Sequence, residues 1–198
     1  CYLAATLYFR RDTQAALQRA TESLELAREQ GFATWIAIPR IIRGAALAAS
    51  GEHERGLDEV YQGIEAHTAM EAVAYQSFGL ALLAEALLVA CRPDEALATL
   101  DRALATSERT GERFYLAELL RLKGEALACT GDPAAEQCLR AAIGVAKGQG
   151  ARLFELRSAT SLCRLADASQ RAGLLGELLE PLCNSFNEGA DMQDLQQA

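Results

Sequence analysis

The residues of this chain that could do chemistry are few, and their spacing does not suit catalysis. His53 and His67 stand 14 positions apart. On one straight helix that is nearly four turns, about 21 Å, too far for the pair to share a metal ion. The cysteines Cys1, Cys91, Cys129, Cys138, Cys163 and Cys183 show no metal or redox spacing. A chain this rich in apolar residues needs no disulfide staples, so they read as buried small hydrophobes in a reducing compartment. There is no Gly-x-x-x-x-Gly-Lys-Ser/Thr loop to cradle a phosphate and no nucleophile elbow around a serine. Nor does a strand-borne pair of aspartates offer to hold two metals. The expectation is a protein that is not an enzyme and carries neither cofactor nor metal.

The polar residues do offer a clamp. Glu118, Arg121 and Glu125 recur at i, i+3 and i+7, on one face of one helix. Arg157 and Arg164 follow at matching phase in the corresponding helix about forty residues on. One reading is a solvated face whose charges pair with one another and do little else. The other is a grip on a peptide segment beside an apolar anchor at Phe78, since the arginine fork can hold a carboxylate with two hydrogen bonds.

Charge narrows the partners. The net charge is -8 and the isoelectric point near 4.9, with no local cluster of Lys and Arg. A nucleic-acid reader needs a basic footprint, so direct DNA or RNA binding is not expected. The best apolar run, 78–91, is interrupted by Glu85 and falls short of the roughly 18 residues of a membrane span. No signal peptide is recognisable, and a cytoplasmic protein is expected.

The elements that position these residues follow from a repeat. Trp35, Tyr75, Tyr115 and Phe154 are separated by 40, 40 and 39 positions. Gly31, Glu71, Gly111 and Gly150 keep the same step, as do Arg11, Gly51, Cys91 and Gly131. The composition is 51% hydrophobic but only 6% aromatic, dominated by Ala and Leu, which favour helix. A period of this length marks an array in which each unit buries its apolar face against the next. Each unit reads as helix A, a tight turn and helix B, with Asp12 and Asp132 as N-caps and Pro93 and Pro133 in first turns. Small residues hold station in helix B (Ala16, Gly56, Ala96; Ser23, Gly63, Ala103, Ala142) and in helix A (Gly44, Gly124), letting helix axes approach. Pro39 and Pro181 should kink or restart their helices.

The expected fold is therefore all-α, a right-handed α-solenoid of antiparallel helix pairs with about five repeats. Its units fall at approximately 1–31, 32–71, 72–111, 112–150 and 151–190 of a single repeat domain. Both ends fall inside expected helices, so the sequence reads as a piece of a larger protein.

The steps Gly44 to Leu47, Gly124 to Leu127, Ala96 to Leu100 and Gly56 to Val60 resemble the tetratricopeptide repeat, here with longer helices and no closing proline. Gly111-Glu112-Arg113-Phe114-Tyr115 through Leu122-Lys123-Gly124-Glu125, with Phe186-Asn187-Glu188-Gly189-Ala190-Asp191 and Asp194-Leu195, is similar to the C-terminal repeat region of bacterial multidomain signalling ATPases. In those proteins a P-loop ATPase is fused to a class III nucleotidyl cyclase or a DNA-binding output domain. The resemblance implies a regulatory module whose partner is a protein or peptide segment, or another domain of the same parent. It does not carry over the ATPase or cyclase activity, whose motifs are missing here.

Carrying the repeat phase along places Tyr8, Ile38, Ile41, Phe78, Glu85, Glu118, Arg121, Glu125, Arg157 and Arg164 on the concave groove as the candidate partner site. The aromatic row reads as repeat-interface core in preference to a ligand ladder. A solenoid curled around a small-molecule effector is the alternative function, and a spacer or oligomerisation surface is a third. The polar residues expected on the convex face (Glu25, Glu29, Glu65, Arg102, Glu108) speak against the third.

Overall fold

Left-handed residues punctuate the chain about every twenty positions. Positive φ occurs at Arg11, Gly31, Gly51, Glu71, Cys91, Gly111, Gly131 and Gly150. These are the two rows that the forty-residue echo had aligned, and each residue lies just past the end of a helix. At several of them the next amide donates back to a carbonyl five residues earlier. The amide of Phe32 bonds the Ala27 oxygen at 2.8 Å, that of Glu52 the Leu47 oxygen at 3.0 Å, and that of Arg92 the Leu87 oxygen at 2.9 Å. This closure satisfies the last free carbonyls of a helix, and it requires a left-handed residue at the turn. Glycine adopts that conformation freely, whereas an L side chain costs about 1–2 kcal/mol there. Replacing Cys91 (φ 58°) by glycine should therefore raise stability by about 0.5–1 kcal/mol. A urea-unfolding midpoint that falls instead would show that the thiol makes a compensating contact.

The computed structural model describes residues 1–32, 35–189 and 192–198. Its helices are α1 (Tyr2–Phe9), α2 (Thr13–Glu29), α3 (Ala37–Ala49), α4 (His53–Ala69), α5 (Gln76–Val89), α6 (Pro93–Thr110), α7 (Leu116–Thr130), α8 (Ala134–Gln149), α9 (Arg152–Leu165), α10 (Ala168–Leu174), α11 (Glu180–Cys183) and α12 (Gln193–Gln197). A π-helical turn, Leu175–Leu179, links α10 to α11. No strand occurs among the described residues, and none of their helices is long and apolar enough to cross a membrane. Ala190 and Asp191, part of the ending that carries the family resemblance, lie outside the described residues.

The fold is the expected all-α array of antiparallel helix pairs, in two compact units, Cys1–Arg113 and Phe114–Ala198. The first unit pairs α1 with α2, α3 with α4 and α5 with α6, and stacks α1 on α3 and α3 on α5. The second pairs α7 with α8, packs α8 and α10–α11 around α9, and stacks α7 on α9 and α9 on α12. The division falls between the third and fourth repeats.

Small residues set the closest approach. A Cβ on Gly44 would stand 2.6 Å from the Gly56 carbonyl oxygen and 2.7 Å from the Val60 nitrogen. A Cβ on Gly56 would stand 2.6 Å from the Ala48 nitrogen. Helices α3 and α4 thus touch backbone to backbone, which only glycine at both positions permits. At Gly124 a Cβ would instead meet the Leu139 side chain at 2.7 and 2.8 Å.

The caps and prolines follow local chemistry. Asp12 accepts from the Ala15 amide at 3.3 Å and Asp132 from the Ala134 amide at 2.8 Å. Pro93 opens α6. Pro39 falls in the first turn of α3, where its missing N–H costs no intrahelical bond. Pro181 follows the π turn, whose wider winding accommodates the carbonyl that a proline ring would strike.

Two expectations are corrected. Cys163 alone among the cysteines is buried; Cys91 and Cys129 are exposed, the first in a left-handed turn and the second at the end of α7. The aromatic row is core only in part. Tyr115 is buried and meets Phe154 edge to face at 5.4 Å. Trp35 and Tyr75 are exposed. Both precede a helix start, and Tyr75 takes a left-handed φ of 67° that is out of step with its repeat equivalents.

Candidate partner-binding groove

In the first unit the inner face is formed by α1, α3 and α5. The Tyr8 hydroxyl donates to a Glu85 carboxylate oxygen at 2.7 Å, and the Phe9 and Phe78 rings meet edge to face at 5.7 Å. Both contacts join α1 to α5, helices that each stack on opposite sides of α3. Side chains of this length meet across an intervening helix only if that face is concave. Ala45, which holds the Glu85 position one repeat earlier, is small and buried. Phe78 is buried, and so is Ile41, whose side chain lines a cleft toward α4 and α5. Neither presents an anchor surface, because hydrophobic burial has drawn both into the core. Tyr8, Ile38 and Glu85 remain partly exposed.

In the second unit the structure gathers the charged candidates into one network. Arg121 sits between Glu118 at 2.7 Å and Glu125 at 2.6 Å. Arg157 lies 3.4 Å from Glu118 and grips Asp194 of α12 with two hydrogen bonds, Nε to Oδ1 at 3.0 Å and Nη2 to Oδ2 at 2.7 Å. Ser161 donates to Glu125 at 2.6 Å. The charges pair with one another, but they are buried rather than solvated: Glu118, Arg121, Arg157 and Asp194 are each nearly inaccessible. Burial works against the Arg157 charge, and the Glu118 charge together with the Asp194 hydrogen bonds outweighs it, holding its pKa above the ordinary arginine value. Arg164 is exposed and reaches Gln197 at 3.5 Å.

The sequence reading missed Asp194 and Ser161. Asp194 stands 37 positions after Arg157, whereas Arg157 follows Glu118 by 39. A carried phase therefore overshoots Asp194 and lands on the glutamines behind it. No group of three His, Cys, Asp or Glu that could hold a metal ion occurs among the described residues.

His67, on α4, is buried, and desolvation lowers its pKa, against opposing effects from a hydrogen bond to the Ala74 backbone and the nearby Glu112 charge. A depressed histidine pKa means that the unfolded chain takes up the proton first as pH falls. Stability should be complete above the ordinary histidine value and decline below it until the folded value is reached. The slope attributable to His67 is at most about 1.4 kcal/mol per pH unit. His67→Gln should flatten this part of a pH series of urea midpoints, and an unchanged slope would assign it elsewhere.

No protein-family model and no curated protein matches the chain. Among solved structures, the crystal structure of the apo form of RapI is similar, with a TM-score of 0.70 and 14% sequence identity, over 89% of this chain and 62% of that one. The chain thus spans a little under two thirds of the RapI chain, and the likeness is one of fold.

Proposed function

We propose that this chain is a non-catalytic interaction module of a larger, cytoplasmic bacterial signalling protein. Its inner face holds a segment of a partner protein, or of another domain of the same parent, and thereby restrains an attached ATPase or output domain. The observation that carries this reading is the Tyr8–Glu85 pair, a phenol and a carboxylate that meet over a concave helix face and keep part of their surface open. A segment that offers a donor to Glu85 competes with Tyr8 and opens the groove over Ala45. Release follows if the segment's affinity differs between the restrained and active states of the parent.

Fifteen-residue peptides tiling the parent sequence, titrated against the chain by fluorescence anisotropy, test the reading. At least one tile should bind, and Glu85→Gln should weaken it about tenfold, the effect of one charged hydrogen bond. Binding that ignores Glu85→Gln and Tyr8→Phe, or no binding by any tile, would place the function elsewhere.

A further inference from the structure

Unit 1 carries two clefts that are repeat-equivalents of each other and lie outside the inner face. Ala27, Trp35 and Pro39 line the first; His67, Tyr75 and Gly79, each forty positions on, line the second. Their volumes are about 340 and 280 Å³. They adjoin through Tyr2, whose ring lines the first cleft edge-on to Trp35 at 6.4 Å and interacts with Tyr75 of the second.

The two clefts differ in chemistry. The first is walled by large apolar side chains left open to solvent: Tyr2 (65% exposed), Leu26 (58%), Phe32 (56%) and Trp35 (51%). So much exposed apolar and aromatic surface around one cavity is unusual on a protein that works alone. The second adds a polar wall from α6, where Arg102 and Arg109 stand two turns apart with Thr106 between them. Arg109 donates to Gln76 at 3.0 Å, and Arg102 is exposed. No carboxylate is among the described residues that line this cleft. Glu112, just past the end of α6, is turned to the start of α5, where it accepts from the Ser77 amide at 3.1 Å and hydroxyl at 2.8 Å and from the Tyr75 amide. On a chain of net charge -8, this is a local cationic mouth beside an aromatic one.

Successive stacked helices lie about 8–10 Å apart. A polyproline-II segment has three residues per turn and rises about 3.1 Å per residue, so side chains at i and i+3 share a face about 9 Å apart. It is also the backbone form that docks on exposed aromatic rings without a large ordering cost. We infer that the two clefts form one bipartite docking site for an extended, polyproline-II-type peptide segment, which places a bulky apolar side chain in the Trp35 cleft and a carboxylate three residues later between Arg102 and Arg109. The site goes beyond the inner-face reading and does not depend on it.

Trp35 is the sole tryptophan, so its emission reports the first cleft directly. The probe is the acetylated peptide Pro-Pro-Leu-Pro-Pro-Glu-Pro-Pro-amide. Titration should shift Trp35 emission saturably, and binding should weaken at least about tenfold with Arg102→Gln, with Arg109→Gln, or with Lys in place of the peptide Glu, the loss of one charge-assisted bond. Moving the Glu to the position directly after Leu should weaken it similarly. Arg102 and Arg109 are exposed, so these variants keep the fold. No emission change up to about 1 mM peptide, a regime of negligible affinity, would overturn the proposal. Equal binding of the Glu and Lys peptides, or binding indifferent to both arginines, would also overturn it.

Discussion

Gly44→Leu should cost on the order of 4 kcal/mol or more, a large part of the 5–15 kcal/mol that holds a typical domain together. The reason is what surrounds the position. A side chain there meets the Gly56 carbonyl and the Val60 amide nitrogen below 3 Å, and backbone atoms of a packed helix cannot rotate away as a side chain can. Overpacking usually costs 1–3 kcal/mol because neighbours adjust; here the whole of α4 must move off α3. Gly124→Ala provides the contrast, since its Cβ presses chiefly on the Leu139 side chain, with the Ala135 carbonyl oxygen farther off at 3.2 Å, and should stay within the ordinary overpacking range of about 1–3 kcal/mol. Urea unfolding followed by far-ultraviolet circular dichroism would measure both. A Gly44 variant no less stable than the Gly124 variant would mean that the α3–α4 backbones are not in contact.

Arg157→Leu is expected to cost about 3 kcal/mol, the range for removing one partner of a buried ion pair. The variant leaves the Asp194 carboxylate of α12 buried against α9 without the guanidinium that holds it. The chain has one escape, the undocking of α12, which lets Asp194 reach water. Amide exchange should therefore rise first in α12 and then in α9. Replacing Glu118, Arg121, Arg157 and Asp194 together by apolar residues should cost much less than the single change, because the carboxylate then left without its arginine, Glu125, is 36% exposed and stays hydrated. Salt should alter the wild-type contribution little, since screening acts weakly on buried pairs. A single variant as stable as the wild type, with unchanged exchange in α12, would show that the network contributes no net stability.

The fold was legible in the sequence because repeats write their constraints many times over. The forty-residue step put Arg11, Glu71 and Cys91 in line with the glycines at 31, 51, 111 and 131, although their types give no hint of the left-handed conformation that all of them share. Gly44 and Gly56 were visible as small residues in step, although nothing in sequence spacing shows that they face one another. The candidate site was legible only as a set of helix faces. Phase placed Glu118, Arg121 and Arg157 on one side of their helices but could not tell solvent from interior, because that depends on what covers them. The cover is partly α12, whose Asp194 falls out of register. Trp35 and Tyr75 show the same limit in reverse: their register matched buried Tyr115, which likewise precedes its helix, yet their own side chains are exposed.

If the inner face of α1, α3 and α5 holds a protein segment as proposed, its backbone should be shielded when that segment is present. The decisive measurement is hydrogen exchange of the 198 residues alone and within the larger signalling protein proposed above. Slower exchange in the parent at the end of α1 around Tyr8 and in the second half of α5 around Glu85 is the predicted result. Identical rates there in both contexts would contradict it and leave the inner face without an occupant from the parent chain.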